Sequence, residues 1–497
     1  MKQKILLLLI FSSFLFSLNA QIHVQIGEDI DGEDIFDGSG GSIGTNANGS
    51  RIAIGAVLNS TNRGHVRVFD FDGENWVQVG NDIDSELIFG FFGASVVLND
   101  EGNRLIASGI GFDKQSVTGF VRVFDFDGEN WIQVGNDITS QSSEDSGFGD
   151  GLTINNGGTR LAIGHPESDL NGVNSGSVVI YDIVDDNFIQ IGEEILGEDL
   201  INGAGRSISF NGDGNILAIG ASGNNNDNGN DSGHVRVFNY DGINWNQMGQ
   251  DIDGESVGDF SGEFVSISDD GTRVAIGAPG NNGNGTNSGH ARVYDFNGEN
   301  WIQVGSDIDG ENAGDFSGVV DLIDDGNRLA IGAPSNDDAD NNAGHVRVYD
   351  FINGNWILVG TDIDGEASTD ASGAAISFSN DGNILFVGAP GNDAGNNEGF
   401  DSGHVRAYDT SNLLNVESFN SNTISIYPNP TNGVISFETT LTSLLDLKLY
   451  DVTGKMIKNY TNLSNIPTID ISFLKAGIYF LEIKSDDSSI IKRVIKF

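Results

Sequence analysis

Residues 268–305 read SDDGTRVAIGAPGNNGNGTNSGHARVYDFNGENWIQVG. Phe264 to Ser268 alternates apolar and polar positions, and Asp269-Asp270-Gly271 supplies a turn whose glycine can take a positive φ. Arg273 to Gly277 reads as a second strand and Gly289 to Phe296 as a third. Asn297-Gly298 then turns the chain into a fourth, Trp301 to Val304. The spacing therefore predicts four short antiparallel strands.

The same unit recurs along most of the chain. W-x-Q-[VIM]-G-x-D-I or a close variant begins at Trp76, Trp131, Trp245, Trp301 and Trp356, with His23 and Phe188 in the indole position of two further copies. GHVRV or a variant begins at Gly64, Gly119, Gly176, Gly233, Gly289, Gly344 and Gly403. Seven copies of each element, at steps of about 55 residues, predict seven four-stranded units, the pattern of a β-propeller. The array opens with a fourth strand alone, at Ile22 to Ile26, and ends after a third strand, at His404 to Tyr408. A ring in which the N-terminal strand completes the last blade accounts for both ends and removes exposed sheet edges. The expected fold is all-β: a seven-bladed propeller closed by an N-terminal strand, over residues 21–409, followed by a linker (410–422) and a small C-terminal β-sandwich (423–497).

Strand parity puts the short turns, such as Asn99 to Gly102, on one face. The opposite face receives the long polar loops Gly223 to Ser232 and Gly391 to Ser402, together with the acidic crossings between blades. Long loops on a rigid scaffold are where binding resides, so that face is expected to hold a glycan or protein ligand.

Composition narrows the function class. The 497 residues carry a net charge of -48, concentrated before residue 422 and nearly absent after it. Such a field repels nucleic acid and anionic membranes and favours cations. Absence of cysteine excludes thiolate metal sites and cysteine nucleophiles. Lys2 and Lys4 precede the apolar run Ile5 to Leu18, and Asn19-Ala20 ends it, so residues 1–20 read as a Sec signal peptide. No other segment is apolar for long enough to span a bilayer.

F-S-G at Phe260 to Gly262 and G-A-P at Gly277 to Pro279, Gly332 to Pro334 and Gly388 to Pro390 resemble the FG-GAP repeats of integrin-type propellers. The calcium loop DxDxDG common in that family does not occur at the equivalent turns, Asp269-Asp270-Gly271 and Asn211-Gly212-Asp213-Gly214. Tyr294-Asp295 followed by Trp301 is also similar to kelch spacing, without the kelch Gly-Gly pair.

Candidate chemistry lies in the crossings D-I-D-G-E. Asp251, Asp253, Glu255 and Asp259 recur as Asp307, Asp309, Glu311 and Asp315, and as Asp362, Asp364, Glu366 and Asp370. Oxygen-rich clusters of this kind suit calcium. The histidines His65, His234, His290, His345 and His404 share one blade position and read as structural. The same holds for two arginine series, Arg67, Arg122, Arg236, Arg292, Arg347 and Arg406, and Arg51, Arg104, Arg160, Arg273 and Arg328. A repeated Arg–Asp contact with Asp29, Asp82, Asp137, Asp251, Asp307 and Asp362 is expected. The tryptophans are expected to pack between blades rather than to stack sugars. Serine-hydrolase, zincin, P-loop and sialidase signatures do not occur, so a non-catalytic binding or adhesion protein is expected, with an extracellular glycosidase or lyase as the alternative.

Near Thr410 the composition changes. Tyr427-Pro428-Asn429-Pro430, Gly433, the run 449–455 containing Gly454 and Lys455, the run 474–480 containing Gly477 and Tyr479, and the basic ending Lys492 to Phe497 resemble the type A sorting domain of the type IX secretion system. The resemblance implies partnership with that machinery, removal of the domain, and release or attachment at the outer cell surface.

Overall fold

A computed structural model of the chain describes residues 23–113, 116–140, 147–393, 401–411, 424–427, 429, 431–439, 445–451, 455–463, 468–475, 477–484 and 489–497. The chain forms two compact units, Met1–Leu413 and Leu414–Phe497. The proposed signal peptide, most of the linker, and Pro428, Pro430 and Gly454 lie outside the described residues.

The described residues of the first unit form antiparallel β-sheets, with one helical turn at Asn59–Asn62. In one sheet Phe264–Ile267, Arg273–Ala278, His290–Phe296 and Trp301–Gln303 pair in chain order. The alternation of Val274 and Ile276 with Ala275 buries both faces of the second strand, because neighbouring sheets cover it on either side. Six sheets of the described residues repeat this order. In a seventh, Val24–Gln25 from the start of the unit pairs antiparallel with His404–Asp409 from its end, Val24 opposite Asp409.

The fourth strand runs further than the sequence spacing predicts. After Gly305, at φ 77°, the chain returns to the sheet and Ile308–Asp309 pairs with Ala291 and His290. The acidic crossing thus begins as strand, with Asp309 fixed opposite His290.

Hydroxyl groups link the innermost strands. Ser207 Oγ accepts the amide of Val265, Ser266 Oγ that of Leu322, and Ser42 Oγ that of Val96. At the short turns a backbone chain of hydrogen bonds runs from sheet to sheet. Ala47 donates to Asp100, Asp100 to Asn156, Asn156 to Gly212, Gly212 to Asp269, Asp269 to Asp324, Asp324 to Asn380, and Asn380 back to Ala47.

Each tryptophan seals one sheet to its predecessor. The indole N–H of Trp76, Trp131, Trp245, Trp301 and Trp356 donates to the carbonyl of Ile26, Val79, Ile191, Met248 and Val304 respectively. The glycine that follows each of Ile26, Val79 and Val304 leaves no room to spare: a Cβ at Gly305 would lie 2.8 Å from Trp356.

In the second unit, Val434–Thr439 lies between Ile424–Tyr427 and Thr468–Asp470, while Leu445–Asp451 and Gly477–Lys484 lie between Met456–Leu463 and Ser489–Lys496. The two sheets share a core of Ile435, Leu447, Leu449, Ile469, Ile471, Leu481 and Val494.

Candidate functional site

The two arginine series do different things. Arg51, Arg104, Arg160, Arg273 and Arg328 each form a two-pronged pair with the aspartate opposite on the third strand, Asp70, Asp125, Asp182, Asp295 and Asp350. A third nitrogen donates to a carbonyl of the next sheet, as Arg273 does to Gly326. The expected partners, the Asp29 series, pair in this way only once among the described residues, Arg122 with Asp137. Elsewhere a histidine two residues before the arginine meets that aspartate. The arginine instead donates to the crossing that arrives from the preceding sheet: Arg292 to the Asp253 carbonyl at 2.8 Å, with Glu255 3.5 Å away.

This geometry disperses the acidic residues of each crossing. Asp251 and Asp307 accept from Gln247 and Gln303 through Oδ1, both at 2.6 Å. Asp253 accepts from Asn226, and the Asp309 carbonyl accepts from Arg347. Glu311 and Glu366 face Arg347 and Arg406 at 3.4 and 3.5 Å. Asp259, Asp315 and Asp370 are buried and cap their own turns: Asp259 accepts from the amides of Glu255 and Ser256 and from Asn281, Asp315 from Asn312 and Asn336, Asp370 from Glu366, Ala367 and Asn392. Asp364 stands opposite His345 in the strand register. Burial raises the carboxyls of Asp253, Glu255, Asp309, Glu311, Asp362 and Asp364 above their ordinary values. Among the described residues five groups emerge, each joining a histidine to carboxylates: Asp29–Asp31–His404, Glu33–His65–Asp82, Glu198–His234–Asp251, Glu255–His290–Asp307 and Glu311–His345–Asp362.

A second feature was not singled out by the repeat. Where the inner strand begins, a glycine amide donates to the second strand, as Gly205 does to Gly220 and Gly262 to Gly277. The residue that follows is small in three sheets, Gly41, Ala94 and Ala374, but is Asp150, Arg206 and Glu263 in three successive ones. Arg206 and Glu263 line a cavity of about 770 Å³, together with Asn174, Asp231, Pro279 and Pro334. Glu263 accepts from Ser222 at 2.6 Å and lies 3.8 Å from Arg206. Asp150 is pushed up to about 6, by burial first and then by Glu167 and Glu263, with Arg206 opposing.

The apolar part of the wall is strained. Ile201, Phe260 and Phe316 have φ of 60°, 54° and 51°, and remain 62%, 41% and 41% exposed. A positive φ is costly for bulky or β-branched side chains, and exposure forgoes the compensation that burial would give. Arg206 was visible in the sequence as one of the few basic residues outside both arginine series, and Phe260 as the first letter of F-S-G. Their convergence was not visible, because it depends on the rotation between sheets.

Residues 425–496 match the family described as "Secretion system C-terminal sorting domain". The chain carries a type IX sorting domain. This domain directs export to the cell surface or extracellular space. Within it Gly433, at φ 149°, offers its carbonyl to Ile471, and a Cβ there would meet Ser472. Tyr479 donates its hydroxyl to the Lys475 carbonyl at 2.9 Å, and Gly477 pairs with Lys496. Asn429 and Lys455 also make contacts. No helix among the described residues is long and apolar enough to cross a membrane.

No curated protein sequence matches the chain. Solved structures with a similar backbone include the periplasmic gluconolactonase PpgL of Pseudomonas aeruginosa (13% identity, 66% of this chain and 85% of that one, TM-score 0.47). They also include the β-propeller domain of the Trilobed protease from Pyrococcus furiosus (10%, 73% and 91%, 0.39) and the α-L-arabinanase of Penicillium chrysogenum in complex with arabinobiose (10%, 79% and 99%, 0.41). The repeated four-stranded antiparallel sheets of its own first unit give the exported protein a β-propeller fold. The expectation that it is not an enzyme is corrected here, since a gluconolactonase and an arabinanase stand among the similar structures.

Proposed function

We propose that the exported unit is a closed seven-bladed propeller of FG-GAP-like repeats that takes an extracellular glycan into the cavity beside Arg206 and Glu263. The reading includes a Sec signal over residues 1–20, a linker at 410–422 and a small sorting sandwich that is removed after export. Closure is supported by the hydrogen-bond chain that begins and ends at Ala47, and by the pairing of Val24 with Asp409.

The observation that carries the ligand reading is the cavity wall. Three strained, exposed apolar side chains, Ile201, Phe260 and Phe316, share it with a guanidinium and a carboxylate. Aromatic faces suit the apolar side of a sugar ring, and Arg206, Glu263 and Asn174 suit its hydroxyls. The mature protein, Arg206→Ala and Phe260→Ala/Phe316→Ala should be applied to glycan, matrix-polymer and protein arrays, with product analysis on each hit. The expected result is a glycan hit lost in both variants while their melting temperatures stay within a few degrees of wild type. A hit that both variants retain, or hits confined to proteins, would overturn this reading; product formation would add turnover to binding.

A further inference from the structure

No residue of the five histidine–carboxylate groups lines that cavity, and their geometry differs from that of ordinary ion pairs. His345 has a side chain only 1% exposed. Its Nδ1 stands 4.0 Å from Glu311 Oε2 and 4.0 Å from Asp362 Oδ2, too far for a hydrogen bond. Among the described residues neither His345 nitrogen has a hydrogen-bond partner, and neither has Glu311 Oε2. A buried polar atom left in this state costs free energy, and here two such atoms face each other across a gap.

The gap has the dimensions of an ion. The three ligand atoms lie within 4.8 Å of one another. The point equidistant from atoms so spaced is about 2.3–2.5 Å from each, a few tenths of an ångström beyond a zinc ligand distance and closed by a small movement of the side chains.

The ligands are also oriented from behind. Arg347 takes the other Glu311 oxygen, Oε1, at 3.4 Å, which leaves Oε2 turned to the histidine. The same division recurs in other copies. Arg292 faces Glu255 Oε1, and Gln303 holds Asp307 Oδ1, beside His290; Gln247 holds Asp251 Oδ1 and leaves Oδ2 at 3.9 Å from His234. Such partners fix first ligands in place.

Charge favours a cation as well. Asp338 and Asp364 act on Glu311 and Asp362, against the single positive charge of Arg347. An imidazole nitrogen with two carboxylate oxygens suits a borderline divalent ion better than calcium, which takes oxygen alone.

We propose that Glu311, His345 and Asp362 bind a divalent transition-metal ion, with zinc the preferred one, and that the other four groups are weaker copies of this site. Glu311 and Asp362 come from successive crossings, so the ion would join two neighbouring sheets.

The test uses the mature protein, stripped with chelator and dialysed against zinc chloride with calcium in large excess. Bound zinc is counted by mass spectrometry and followed by thermal unfolding. The expected result is stoichiometric zinc that calcium does not displace and a raised melting temperature. In Glu311→Gln, which keeps a group to meet Arg347, and in His345→Asn, the count should fall by one ion per chain, or that ion's affinity at least tenfold, with unchanged circular dichroism. No zinc retained by wild type, zinc displaced by calcium, or an equal count in folded Glu311→Gln would each overturn the proposal.

Discussion

The indole nitrogen of Trp301 donates to the carbonyl oxygen of Met248 at 2.8 Å, joining the fourth strands of two neighbouring sheets. The ring is buried against Phe296, with centroids 5.1 Å apart, and belongs to a core with Val265, Val274 and Tyr294. Trp301→Ala should therefore cost about 3–5 kcal/mol in chemical unfolding. Trp301→Phe keeps the aromatic contact but orphans the Met248 carbonyl, and should cost about 1–3 kcal/mol. A Trp301→Phe variant as stable as wild type would show that the inter-sheet hydrogen bond contributes nothing.

Arg273 is held by Asp295 through Nε and Nη2, by the Gly326 carbonyl through Nη1, and by the face of Phe351 at 4.3 Å. Removing the guanidinium in Arg273→Met leaves two partners unsatisfied and should destabilise by about 1–3 kcal/mol. Arg273→Lys restores the charge without the planar fork and should recover less than half of that loss. Urea titrations of the three proteins at one salt concentration test this.

At the short-turn end, Asp324 is pushed up to about 7 by burial and by the neighbouring Asp269, Asp100 and Asp321, while Asn380 donates to it and opposes the shift. Its folded value lies above the unfolded one, so its favourable contribution is complete below about pH 4 and is lost as pH rises through 7. Asp324→Asn should then raise the melting temperature at pH 8 by about 1–3 °C relative to wild type, and by less at pH 5. The site is partly open to water, which keeps the effect small. A pH-independent difference would exclude Asp324 as its source.

The histidines act in the opposite sense. Burial, then the adjacent arginine, lowers His290 and His345 to about 4. Both stay neutral in the folded protein, so their contribution is complete above about pH 6.5 and is lost as pH falls towards 4. Metal-free protein should accordingly lose stability between pH 6.5 and 4, and His290→Gln should flatten that slope.

Deleting residues 423–497 removes the sorting domain. The truncated chain should accumulate in the periplasm, detected by fractionation, while the full chain reaches the surface or medium. Surface display of the truncated form would refute the sorting role.

The strand order of the first unit was legible because Trp301, His290 and Arg273 each recur at a fixed position, and a repeat reports its own packing. Turn glycines such as Gly271 and Gly298 marked where the strands end, and both have positive φ. What the sequence hid was which sheet a side chain reaches. Asp251 and Glu255 are four residues apart, yet the first turns back to its own sheet's His234 and the second crosses to the next sheet's Arg292. Spacing alone groups them as one acidic cluster. The Asp150–Arg206–Glu263 series was obscured for the same reason: positions distant in the chain meet only after successive sheets have been rotated about a common axis.

The pairing of Val24 with Asp409 also sets the order of events during synthesis. Strands formed early can pair with their neighbours at once, but Val24–Gln25 must wait for the last strand of the unit to emerge. Until then the isolated N-terminal strand and the unfinished last sheet present unpaired edges, which invite association with other chains. For an exported protein this delay makes the time between emergence and completion its most vulnerable interval, and a chaperone that covers those edges would protect it more than one that binds the finished molecule.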